Sequence, residues 1–244
     1  MRRFYSSPEN FTKEIVTLSL EETRHLRDVL RLREDEKVLV FDGKGKEFLC
    51  EIVSISKKET SLRIIEEISP KSPESDLNLT LAVSLLKGEK FDLVIQKAVE
   101  LGVTKFIPII TKRCDVKLKE NDKKLERWRK IILESSKQCG RAKLMEIESP
   151  INFETLIEES ASIQLFYECF LLFSEKNGEV FSKIKSFPKI TAIIGSEGGW
   201  DDSEIDLAQK NRVQVITLGG RILRAETAAI AIPTLLQNHF GDLT

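Results

Sequence analysis

Histidine and cysteine are scarce in this 244-residue chain, and their scarcity removes whole classes of chemistry. His25 and His239 are the only histidines, so a metal enzyme would have to rely on carboxylates almost alone. No clustered Asp/Glu/His ligand set stands in the sequence, and no metal is expected. The four cysteines, Cys50, Cys114, Cys139 and Cys169, lie far apart without a C-x-x-C pair, which excludes a zinc ribbon and a disulfide framework. They read as reduced thiols in or near a core. Long apolar runs are also missing: stretches such as Ala228 to Pro233 fall far short of the roughly 20 residues of a membrane span. The opening MRRFYSSPEN has no apolar signal core, so a cytoplasmic protein with no membrane partner is expected. Neither G-x-x-x-x-G-K-[ST] nor G-x-G-x-x-G occurs, which argues against nucleoside triphosphates and dinucleotides.

What is present is a 41% hydrophobic composition, ample for a core, and a net charge of −1 that hides an asymmetry. Thr111 to Leu144 carries twelve basic against five acidic residues, while Met145 to Phe181 carries eight glutamates against Lys176 alone. Such blocks suit either solvated helix faces or, in the first case, a surface for phosphates.

The N-terminal third reads as Ser19 and Glu22 of a capping box, then a helix to about Leu30 with Arg24, Arg27 and Arg31 on one face. Three β-like stretches follow, KVLVF, EFLCEIVSI and TSLRIIEEI, joined by short turns as in a small barrel or curled sheet. The polar, two-proline stretch SPKSPESD marks a linker, giving domains 1–72 and 73–244. Beyond it strands and helices alternate: LTLAVSLL, a helix ending at Gly102, FIPII, a basic helix from about Asp122 to Cys139, SIQLFYE, ITAIIG, a helix from Asp201 to about Asn211, VQVITLGG, and a last helix from about Glu226. That alternation predicts an α/β domain built on a parallel sheet, with helices on both faces and ligands beyond the carboxyl ends of the strands. Pro233 is expected to kink the last helix or end its first part.

Two glycine loops leave predicted strands, GSEGGWDD (Gly195 to Asp202) and LGGRILRAET (Leu218 to Thr227). Asp201 has a local task as N-cap with Glu204 three residues on, but Glu197 has none. Glycines let backbone groups approach a flat ligand, and carboxylates favour a cation over a polyphosphate. A cationic, adenosine-bearing ligand, S-adenosylmethionine, meets both conditions. Ile222 and Leu223 offer apolar walls, and Arg221 and Arg224 add charge.

These loops, in order after KGEKFDLVIQKAVELGV, Arg127-Trp128 and KQCGR (Lys137 to Arg141), and preceded by HLRDVLRLREDEKVLVFDGKG, resemble the RsmE family across nearly the whole chain. Ser196 departs from the proline usual in GPEGG, Met145 from the proline usual after KQCGR, and Pro233 is not expected in the last helix. The resemblance implies a SPOUT-class methyltransferase that uses S-adenosylmethionine on N3 of a uridine in 16S ribosomal RNA of the small ribosomal subunit. It further implies a small N-terminal PUA-like RNA-binding β-barrel, a C-terminal α/β domain with a deep trefoil knot, and a homodimer packed through the knot. Carried across by position, the cofactor would touch Phe166 at the end of the strand LFYE, Gly195, Glu197, Gly198, Leu218, Gly219, Ile222, Leu223, Thr227 and Ala228. Arg224 would stabilise the uracil anion, and Glu197 or Glu226 would take the proton, unless Glu226 only caps its helix. RNA would be held by Arg2, Arg3, the Arg24/Arg27/Arg31 face, Lys87, Lys90, and the basic stretch from Lys112 to Arg141 that includes Arg113 and Arg141. A ribose 2′-O-methyltransferase of the same class and a non-catalytic RNA-binding assembly factor remain as alternatives.

Overall fold

The computed structural model describes residues 1–116, 123–163, 168–176 and 178–243, which divide into two compact units, residues 1–74 with 133–144, and residues 75–132 with 145–244. The sequence alone groups 133–144 with the second domain; the structure gives this short segment to the first unit.

The first unit is a five-stranded sheet in the order β1-β3-β4-β5-β2, where β1 is Arg3–Tyr5, β2 Ile15–Leu18, β3 Lys37–Phe41, β4 Glu47–Ile55 and β5 Thr60–Ile68. All neighbours are antiparallel except β1 and β3. Alternate residues of each strand, among them Phe4, Val16, Leu18, Val38, Val40, Cys50, Ile52 and Leu62, point inward and form one buried cluster. Two register shifts between β4 and β5 curl the sheet, and the Ser6 hydroxyl donates 2.7 Å to the Thr17 carbonyl, linking the segments at its two edges.

Ser19 caps α1 (Leu20–Arg24), accepting from the Glu22 N–H, but the α-helix stops there. His25–Val29 forms a wider π-type turn closed by the Leu30 N–H on the His25 carbonyl, and Arg31 has a left-handed φ of 55°. The regular spacing that would align Arg24, Arg27 and Arg31 is therefore lost.

The second unit is an eight-stranded, all-parallel sheet. Its strands are β6 (Asn78–Ser84), β7 (Lys105–Ile110), β8 (Glu146–Ile147), β9 (Ile151–Asn152), β10 (Glu168–Phe173), β11 (Glu179–Val180), β12 (Lys189–Ile194) and β13 (Gln214–Thr217). The order runs β11-β13-β10-β12-β6-β7-β8, with β9 also on β7. One helical layer is α2 (Lys90–Glu100) against α6 (Ala225–Phe240), with α6 on β6 and β12; the other is α4 (Phe153–Ile163) against α5 (Asp202–Lys210), on β7 and β13. The strands are buried on both sides, so Phe170, Leu172 and Ile193 join Phe153, Leu156 and Trp200 in the core beneath α4 and α5. The basic helix α3 spans Lys124–Cys139, and Trp128 rests 4.9 Å from the Phe91 ring.

Two elements differ from expectation. Phe153, Leu156, Ile157 and Ser160 are buried at helical spacing, so residues given no element by the sequence form α4 through Ile163; of the strand expected at SIQLFYE, residues 164–167 lie outside the described residues, and Glu168 opens β10. Pro233 stands inside α6 without ending it, because Ala229, Ile232 and Leu236 bury the helix face on either side of the missing N–H. Among the described residues no helix is long and apolar enough to cross a membrane.

Candidate functional site

Three adjacent strands end together. Phe173 of β10 lies beside Ile194 of β12 on one side and Ile216 of β13 on the other, so the segments after all three strands emerge side by side. The chain passes from β12 over β10 to reach β13, and a sheet that reverses order in this way leaves a crevice at its carboxyl edge. Here the crevice is a cavity of about 570 Å³, walled by Phe173–Glu175, Ile194–Trp200 and Thr217–Ala225, with Lys90, Ala228 and Ile232.

The loop after β12 is pinned at several points. Trp200 donates its indole N–H 2.8 Å to the Phe173 carbonyl and lies under Gly195, where an added Cβ would stand 3.0 Å from the ring. The Ser196 hydroxyl donates 2.9 Å to the Arg113 carbonyl, and the Gly199 N–H closes a turn on the Ser196 carbonyl. Serine thus gives this loop a tether that proline at 196 would lack. The loop then enters α5 through the anticipated capping box: the Ser203 N–H meets Asp201 Oδ1, and Glu204 Oε2 accepts from the Asp201 N–H. The Ser203 hydroxyl and N–H, with Lys112 and Arg113 nearby, hold the Asp201 carboxyl below its ordinary pKa.

The loop after β13 is open. Gly219 and Gly220 both have φ of 71°, and nothing stands within 4 Å of a Cβ added at either. Ile222 is 82% exposed and Leu223 36%, yet both face the cavity. Large apolar side chains left uncovered around a concave site mark a surface completed by a ligand.

Lys90 bridges the two carboxylates considered as proton acceptors, 3.4 Å from Glu197 Oε1 and 3.3 Å from Glu226 Oε1. Burial pushes the Glu226 pKa up, but its own backbone N–H, Lys90 and Arg224 outweigh that and hold it below the ordinary value. A carboxylate so stabilised is a weak base.

Among known proteins, a family model described as an RNA methyltransferase domain matches residues 73–237, and one described as an RNA methyltransferase PUA domain matches residues 19–71. Ribosomal RNA small subunit methyltransferase E of Aquifex aeolicus is 33% identical over 241 residues, covering 98% of this chain and 100% of its own. The chain belongs to the ribosomal RNA small subunit methyltransferase E family. Solved structures agree. A methyltransferase E from Neisseria gonorrhoeae, bound to S-adenosyl methionine, superposes with a TM-score of 0.89 at 34% identity over 100% of both chains. A Legionella pneumophila methyltransferase in complex with the same cofactor gives 0.89 at 33% identity, over 99% of this chain and 98% of its own.

The methyltransferase E resemblance assigned the cofactor ten positions. Gly195, Glu197, Gly198, Leu218, Gly219, Ile222, Leu223 and Ala228 line the cavity, as does Arg224. Thr227 is exposed and is not among the lining residues; Phe166 lies outside the described residues. Phe173, Ser174 and Glu175, at the end of β10, also line the cavity. They and Trp200 escaped the sequence reading; the apolar run CFLLF followed by Ser-Glu was the available signal.

The expected RNA contacts scatter. Arg2, Arg24 and Arg31 are exposed, and Arg27 is half-buried with its guanidinium on Asp28 and the Ser56 carbonyl. Lys87 pairs with Asp115, Arg113 reaches Asp201 at 3.5 Å, and Lys90 is a cavity residue. Arg3 is partly buried and Arg141 fully so, and both spend their donors internally. Arg3 is committed to Glu47 and to the carbonyls of Ser136 and Arg141. Arg141 is 4% exposed and pairs with Glu74. Burying an arginine requires that its donors be spent internally, so neither offers its charge to a phosphate. Part of the basic stretch, residues 117–122, lies outside the described residues.

Proposed function

We propose that this chain transfers a methyl group from S-adenosylmethionine to N3 of a uridine in 16S ribosomal RNA of the small ribosomal subunit, acting in the cytoplasm as a homodimer. The observation that carries the reading is the cavity itself. It lies at the carboxyl edge of β10, β12 and β13 in a chain of the methyltransferase E family, walled by glycine backbone, exposed Ile222 and Leu223, and carboxylates.

The residues present fit the cofactor. Gly219 and Gly220, with open space where a Cβ would stand, permit backbone approach to adenine and ribose, Ile222 and Leu223 supply apolar cover, and Glu175 and Glu197 favour a cation. When bound, S-adenosylmethionine supplies a methyl already activated on a sulfonium. The protein's work is then to hold uracil N3 in line with that methyl and to favour loss of the N3 proton. Arg224, the exposed N-cap residue of α6 at the cavity wall, is placed to favour the uracil anion. Glu197 or Glu226, the two carboxylates that meet at Lys90, or water would take that proton.

A trefoil knot around these loops is proposed on the family resemblance.

The test is methylation of unmethylated small subunits, naked 16S ribosomal RNA and transfer RNA in parallel, with radiolabelled cofactor and nucleoside analysis. The expected label is 3-methyluridine from the subunit or its RNA. A 2′-O-methyl nucleoside would assign ribose chemistry instead. RNA and cofactor binding without any label would make the chain a non-catalytic assembly factor.

A further inference from the structure

Three remote pieces of the second unit meet at one ammonium. Lys90 is the first residue of α2, Glu197 lies in the loop after β12, and Glu226 in the first turn of α6. The Lys90 ammonium stands 3.4 Å from Glu197 Oε1 and 3.3 Å from Glu226 Oε1. The backbone N–H of Lys87 approaches Glu197 Oε1 at 3.4 Å, so the start of α2 holds this carboxylate twice. The side chain of Glu226 is only 16% exposed, and its Oε2 is shielded from solvent with no hydrogen-bond partner among the described residues. Lys90 is the cation in direct contact with this half-satisfied carboxylate, and Arg224 adds its charge from further away.

We propose that Lys90 is a positioning residue of the methyl-transfer site, tying the loop after β12 to the start of α6 through Glu197 and Glu226 and so setting the width of the cofactor cavity. The two walls it joins carry the glycine backbone on one side and Arg224, Ala225 and Ala228 on the other. Without the ammonium, two carboxylates would face each other across the seam, and repulsion would spread the walls. The identity of the ligand, though not of the clamp, rests on the function proposed above.

A double-mutant cycle separates the clamp from ordinary packing. Lys90→Met, Glu226→Gln, the double variant and Lys90→Arg are compared by calorimetric titration with S-adenosylhomocysteine, by hydrogen exchange over residues 195–199, and by melting temperature without ligand. Because Lys90 is partly exposed, Lys90→Met is expected to weaken binding about threefold to tenfold and to speed exchange in the loop. Adding Glu226→Gln should recover much of that loss, since the repulsion goes with the charge, and Lys90→Arg should retain binding because a guanidinium also spans two carboxylates. Wild-type affinity in Lys90→Met, strictly additive losses, or an arginine variant no better than methionine would overturn the proposal. Should the wild type not bind S-adenosylhomocysteine, the functional reading falls, and the melting-temperature cycle still decides the clamp: partial recovery in the double variant supports it and additivity overturns it.

Discussion

In the loop after β12, Gly198 runs close against the backbone at Arg113. An added Cβ there would stand 2.9 Å from the Arg113 Cβ and 3.0 Å from the Arg113 carbonyl oxygen. The same carbonyl accepts the Ser196 hydroxyl at 2.9 Å, so neither segment can retreat without loosening the tether. Inserting a methyl into such a contact costs about 1–3 kcal/mol in strain, offset by about 0.4–1 kcal/mol from the stiffer unfolded chain. Gly198→Ala should therefore destabilise by about 1–2 kcal/mol, which lowers the melting temperature by roughly 2–8 °C in a unit of this size. Displacing the loop by a few tenths of an ångström should also cut methyl transfer about tenfold, because alignment in the site is sensitive to shifts well under 1 Å. Gly219→Ala is the control: its φ of 71° imposes strain of about 1–2 kcal/mol, but no atom lies within 4 Å to be pushed. Differential scanning calorimetry and initial methylation rates give both readings. A Gly198→Ala protein that melts and turns over like the wild type would refute the argument that this close approach shapes the site.

Arg3→Met should cost about 3–5 kcal/mol in urea unfolding of the first unit, because Glu47 would be left buried and unpaired; a change below 1 kcal/mol would show the pair to be dispensable. Asp201→Ala should lower the melting temperature at pH 7. Since the folded-state pKa of Asp201 lies below the unfolded 3.8, the cap's contribution is present above 3.8 and lost as pH falls through the folded value, so the difference between the two proteins should shrink in acid; a constant difference from pH 7 to pH 2.5 would contradict it. Burial pushes the Cys50 thiol up to about 12 and Cys169 to about 11, so iodoacetamide at pH 8 should spare both in the folded protein while modifying the part-exposed Cys114 and Cys139; labelling all four at equal rates would overturn that assignment.

Local chemistry was legible in the sequence wherever a few neighbouring residues suffice to satisfy backbone groups. Asp201 and Glu204 form the capping box their spacing announces, and Gly102 takes the left-handed φ of 74° that stops the chain after α2. The two glycine loops stand where the sequence put them, after β12 and β13, and both line the cavity. Periodicity was read too weakly at α4, where the sequence assigned no helix and burial of Phe153, Leu156 and Ile157 at helical spacing shows one. The spacing of Arg24, Arg27 and Arg31 failed for a different reason, since one π-type turn and one left-handed residue break a helical stripe without leaving a compositional mark.

The sequence by itself determined the strand and helix alternation, the caps, the loops and the family, because each depends on residues close in the chain or on their order. Only the tertiary structure decided which charges meet. Whether an arginine is a phosphate contact or a buried strut depends on partners more than 40 residues away, as for Arg3 with Glu47 and Arg141 with Glu74. The same holds for the cavity, where Lys90 meets Glu197 and Glu226 across more than 100 residues. Coulomb energy and desolvation act through space, and nothing in the local sequence records the distance over which they will act.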